Sequence, residues 1–148
     1  MLRVLSLSVL LLSSLSAFAS DFSVGDGVAC GQREGTVQKV FSHQSLVVRF
    51  QSSFWDGVVE DEDSVEVVNG GNCYRRLGAS VGAGPDLVRG SVALCGVKEG
   101  EVLATYTRDM VKVRFFASYA SGPRTEINET FIYFAGLCER QLSPATGE

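Results

Sequence analysis

CGQREGTV at residues 30–37 and CGVKEGEV at residues 95–102 are one phrase written twice, 65 positions apart. Sliding the chain against itself by that offset holds without a gap. Val48-Arg49-Phe50 falls on Val113-Arg114-Phe115. Ser53 and Gly57 fall on Ser118 and Gly122, and Gly71, Cys73, Arg75 and Leu77 fall on Gly136, Cys138, Arg140 and Leu142. With Gly25 on Gly90, 15 of the 56 positions from 22 to 77 are identical to their partners. Arg33 on Lys98, Phe41 on Tyr106 and Phe54 on Tyr119 are conservative pairs. The pattern reads as a tandem duplication, with one unit at 20–77, a second at 87–142 and a short tail at 143–148. Between the units lies GASVGAGPD, residues 78–86, with the small, Gly-rich and Pro-containing composition of a linker.

The repeat also orders the cysteines. Four cysteines allow three pairings. Each unit owns an early and a late cysteine at the same spacing, so duplication of a closed unit predicts Cys30–Cys73 and Cys95–Cys138. A crossed arrangement, Cys30 with Cys138 and Cys73 with Cys95, is the alternative. A unit of this size buries too little surface to be secure alone, so a staple in each is physically apt. Zinc would call for short Cys-x-x-Cys pairs, which are absent.

Two disulfides imply an oxidising compartment. The N-terminus agrees. Arg3 precedes an apolar run from 4 to 15, and Ala17-Phe18-Ala19 closes it in the order of a cleaved signal peptide. The expectation is a secreted or periplasmic protein cut after Ala19. The run is too short to span a bilayer as a helix, and membrane insertion is not expected. A net charge of −4 argues against gripping phosphate backbones, so nucleic acid is not an expected partner.

Periodicity favours strands over helices throughout. In the first unit strands are expected at 24–30, 35–41 and 46–51, with a weaker one at 55–60 and a fifth at 65–68. The second unit repeats them at 101–105, 111–116 and 130–134, with a turn at Arg108-Asp109. The expected fold is all-β: two small five-stranded barrels, each curled to hide its edges and each with one disulfide.

VGDGVACGQREGTVQKVFSHQSLVVRF, with Val-Gly-Asp, Gly-Thr-Val-x-x-Val and Val-Val-Arg-Phe in that order, resembles the SH3-like small barrels of the Tudor, agenet and KOW kind. The Trp-Tyr or Tyr-Arg-Ala motif that many Tudor domains carry on the second strand is replaced by Glu-Gly-Thr-Val-Gln-Lys at 34–39. The resemblance implies a non-enzymatic binding barrel.

The inventory of reactive groups points the same way. The single histidine, His43, falls at an expected hairpin tip. Oxidised cysteines supply no thiolate. No nucleophile-elbow, zincin or phosphate-loop motif is present, and no cofactor or metal motif either. The run Glu60-Asp61-Glu62-Asp63 lacks calcium-loop spacing and reads as a solvated turn.

In SH3-like barrels the loop after the third strand commonly meets ligand. Here it holds Phe54, Trp55 and Asp56, with Phe41 behind them and Tyr106 and Tyr119 as counterparts in the second unit. These six are the candidate ligand residues, because aromatic surfaces concentrate binding energy. The expected function is an exported binding module for a protein, peptide or cell-wall component. The alternative is a structural or inhibitory protein that blocks another exported protein with rigid loops.

Overall fold

The computed structural model describes residues 22–41, 44–84 and 86–142. The expected leader, the tail and His43 lie outside them. Within them the repeated phrase is a strand end, a turn and a bulge. Cys30 closes β1 (Gly27–Cys30), and β2 (Arg33–Val40) begins three residues on. Gly31 turns between them at φ +62, and Gly96 does the same at φ +62. Gly35 is the bulge, where β2 slips register against β3 (Ser45–Ser53). A Cβ there would lie 2.3 Å from the Arg49 carbonyl oxygen, and one at Gly100 would lie 2.5 Å from that of Arg114. Only glycine lets the strands approach so closely.

β4 (Glu60–Asn69) and β5 (Cys73–Arg75) complete a five-stranded antiparallel sheet in the order β4-β3-β2-β1-β5. The second sheet has β6 (Val92–Cys95), β7 (Lys98–Tyr106), β8 (Met110–Ser118), β9 (Thr125–Phe134) and β10 (Cys138–Gln141). Its order, β10-β6-β7-β8-β9, is the same one shifted by a unit. The irregularities at Val37/Lys39 and Phe50/Ser52 reappear at Val102/Ala104 and Phe115/Ala117. Cys30 faces Cys73 across β1 and β5, and Cys95 faces Cys138 across β6 and β10. Both pairs are bonded as expected, and the crossed pairing is excluded.

Each sheet curls over its own core. Val28, Val37, Leu46, Val48, Phe50 and Cys73 form the first. Their counterparts Ala93, Val102, Val111, Val113, Phe115 and Cys138 all sit in the second. The expected closure of each barrel is not seen: among the described residues no ladder joins β4 to β5 or β9 to β10. The three residues of β5 pair with β1, leaving β4 as an edge.

Three sequence expectations need correction. Residues 55–57 form a 3-10 turn rather than a strand, with Asp56 at φ 55. The acidic run lies in β4, not in a turn. The segment 78–86 is also more than a spacer. Ala83 and Leu87 are buried in the second core, Thr105 Oγ1 donates to the Val81 carbonyl at 2.7 Å, and Gly84 N donates to Asp109 at 3.0 Å. Leu87 occupies the repeat position of Phe22, which packs on the first core. No helix of the described residues is long and apolar enough to cross a membrane.

Candidate functional site

The two sheets meet across a buried cluster of Ala29, Phe54, Ala104, Tyr106 and Ile132. Phe54 and Tyr106 are each 1% exposed, so neither offers a surface to a ligand. Both were candidates on sequence grounds; both serve the junction instead. Their alternation explains it. Residues on the inner face of each sheet line its own core, and these two project from the opposite face toward the other unit.

A polar node accompanies the cluster. Glu34 accepts from Lys112 Nζ at 2.7 Å and from the Tyr106 hydroxyl, with the Glu34 and Lys112 side chains largely covered. Lys112 Nζ also stands 4.9 Å over the Phe54 ring. Burial, and then the Glu34 charge, push the Tyr106 hydroxyl far above the ordinary tyrosine value. Gln32 donates to the Ile132 carbonyl at 2.8 Å and accepts from the Ile132 amide at 2.7 Å. Arg108 donates to the carbonyls of Gly71 and Cys73 and stacks on Tyr74. Tyr106→Phe removes one bond to a charged acceptor and should cost about 2 kcal/mol in denaturant unfolding. A change within error would mean the hydroxyl contributes nothing to the junction.

The remaining candidates are scattered. Phe41 sits before one end of β3, and Trp55 follows the other end. They do not form one platform. Trp55 is 58% exposed, and Asp56 beside it is exposed too. Tyr119 is half-buried, its hydroxyl donating to Glu99 at 3.3 Å.

The inner faces of the two sheets differ more than their outlines. In the first unit Arg33 lies 3.7 Å over the Phe50 ring. It bonds Glu66 at 2.8 Å and Ser64 at 3.0 Å, and also bonds Glu62. These partners project from alternate positions of β4. The Arg33 guanidinium holds the Glu62 and Glu66 carboxyls below their ordinary 4.5, and they raise Arg33 in turn. Because the folded carboxylates titrate lower than unfolded ones, the cage stabilises fully above that value and is lost as pH falls through the folded values. The stability difference between wild type and Arg33→Met should therefore shrink between neutral pH and about pH 3. A difference that stays constant in acid melts would remove the cage from the stability account.

In the second unit the partners of Glu62, Glu66 and Val68 are Ile127, Phe131 and Tyr133. The carboxylate cage is gone and aromatic walls replace it. Phe115 meets Phe131 at 6.3 Å and Tyr133 edge-on at 5.9 Å. Lys98, in the place of Arg33, pairs with Glu129 at 2.5 Å and sits 5.1 Å over Phe131. The result is an open cleft of about 390 Å³ lined by Cys95, Val97, Lys98, Phe115, Phe131 and Tyr133. The turn Trp55–Gly57 borders it: a Cβ on Gly57 would lie 3.1 Å from the Phe131 ring. A wider groove of about 670 Å³ runs past Arg76, Arg89, Glu101 and Lys112. Its walls are mixed in charge, and its Lys112 is already committed to Glu34.

The sequence reading passed over this cleft. The signal was present in the repeat itself, since Glu-x-Ser-x-Glu-x-Val on the inner face of β4 becomes Ile-x-Glu-x-Phe-x-Tyr on β9. Neither a protein-family model, nor a curated protein, nor a solved structure matches this chain.

Proposed function

We propose that the protein is an exported, non-enzymatic binding protein made of two duplicated SH3-like units, and that the aromatic cleft of the second unit, rimmed by Trp55, is its ligand site. One observation carries the reading. The same inner-face position is filled by the Arg33 cage in one unit and left open between Phe115, Phe131 and Tyr133 in the other. Support for the duplication comes from bulges, disulfides and core residues recurring at one constant offset. A cleft with aromatic walls and a single cation suits an apolar side chain of a peptide or the face of a sugar ring from a cell wall.

The test is titration of the isotope-labelled chain with hydrophobic peptide amides and with soluble cell-wall fragments. Amide shifts should centre on Lys98, Phe131 and Tyr133, and the single indole should report binding in its fluorescence. Phe131→Ala should weaken binding by about 2 kcal/mol. Shifts confined to residues elsewhere, or no shifts with either probe class, would defeat the assignment. The exposed Trp55 on a turn anchored against β9 also supports the second reading, a loop that inserts into another exported protein. That reading requires Trp55→Ala to abolish binding while Phe131→Ala leaves it intact.

A further inference from the structure

Unit two covers the end of unit one with a defined set of side chains. Ala104, Tyr106, Lys112, Thr130 and Ile132 lie on the outer face of its sheet. At the repeat offset their counterparts on unit one are Lys39, Phe41, Val47, Val65 and Val67. That face is bare. Val67 is 68% exposed, Val65 59% and Phe41 41%, on and beside the edge strand β4. Monomeric surfaces seldom leave such a row of apolar side chains uncovered.

The other half of the interface is repeated as well. Unit one contributes Ala29, Gln32, Glu34 and Phe54, and the counterparts on unit two are Leu94, Val97, Glu99 and Tyr119. Val97 is 49% exposed. Glu34 and Glu99 are the shared glutamate of the repeated phrase. Glu34 is consumed by Lys112 and Tyr106 within the chain, whereas Glu99 is met by the Tyr119 hydroxyl at 3.3 Å.

The cation for Glu99 is in place on the opposite face. Ala104 pairs across the strands with Lys112, and at the same register Lys39 pairs with Val47. The lysine has moved one strand over and still lies on the face that a glutamate would approach. The strand end is duplicated too. Arg76 bridges Tyr106 and Leu77 N donates to Thr105 at 2.9 Å, extending the first sheet into the second unit. Leu142, the counterpart of Leu77, is 82% exposed at the other end of the molecule.

We propose that the bare outer face of unit one, carrying Lys39, Phe41, Val47, Val65 and Val67, receives the Glu99 end of unit two from a second copy of this chain. The contact repeats the junction inside the molecule, so it is head-to-tail, and nothing in its geometry limits growth to two copies.

Sedimentation of the oxidised chain over a range from micromolar to millimolar tests this. The weight-average mass should climb past twice the monomer with no plateau. Val67→Lys disables the face and Glu99→Lys disables the opposite end, so each variant alone should sediment as a monomer with unchanged circular dichroism. Mixed one to one, they retain one good face and one good end, and should form a dimer and nothing larger. Lys39→Glu is a second, fully exposed disruption of the face, and its combination with Glu99→Lys should restore growth. A wild type that stays monomeric at every concentration overturns the proposal, as does growth that survives Val67→Lys. A dimer that is lost in Val67→Lys but kept in Glu99→Lys overturns it too, because the two faces would then be pairing with each other.

Discussion

Phe54→Ala should destabilise the protein by about 3–5 kcal/mol, while Trp55→Ala, one residue along, should move stability by less than about 0.5 kcal/mol. Phe54 is 1% exposed and fills the cluster between the sheets, under the Lys112 ammonium. Removing its ring leaves a cavity lined by Ala29, Ala104 and Ile132 and takes the aromatic face from Lys112. The loss falls on the junction rather than on either core, so denaturant unfolding should also lose cooperativity and resolve into two transitions. Trp55 is 58% exposed and leaves no cavity behind. Equal costs for the two substitutions would contradict the division between junction and rim.

Removing either disulfide by paired Cys→Ser substitution should cost about 4 kcal/mol. Both bonds close loops of the same length, 43 residues apart in sequence, so the unfolded chain regains the same freedom from either one. Urea unfolding of the two variants should therefore shift by similar amounts, and treatment of the wild type with reductant should approach their sum. Each bond also pins a short edge strand, β5 or β10, to the strand beside it. A loss under about 1 kcal/mol for either pair would mean that the unfolded chain is already held compact by other means.

What the sequence made legible was whatever both copies preserve. The cysteine spacing, the bulge glycines, the core alternation in Val48, Phe50, Val113 and Phe115 and the count of five strands per unit all follow from that offset. Illegible were the features in which the copies differ, because a difference carries no pattern of its own. Phe54 and Tyr106 were read as surface because each faces away from its own core; only the arrangement of the two units makes that outward face an inside. The acidic run looked like a solvated turn because four carboxylates in a strand are unfavourable unless paired, and Arg33, 29 residues from Glu62, supplies the pairing. The linker composition was read correctly, yet Ala83 and Leu87 are apolar enough to dock on the second core.

The staples sit where the chain enters and leaves each unit, joining the end of β1 to the start of β5 and the end of β6 to the start of β10. A tension applied between the two ends of the protein therefore passes through the bonds and bypasses the residues between them. Each bond withholds 43 residue steps from extension, about 150 Å of contour. Only the segment from Cys73 to Cys95 and the two outer arms can lengthen, so a chain anchored at one end and pulled at the other would yield first at the junction and keep both β2–β3–β4 and β7–β8–β9 out of the line of force.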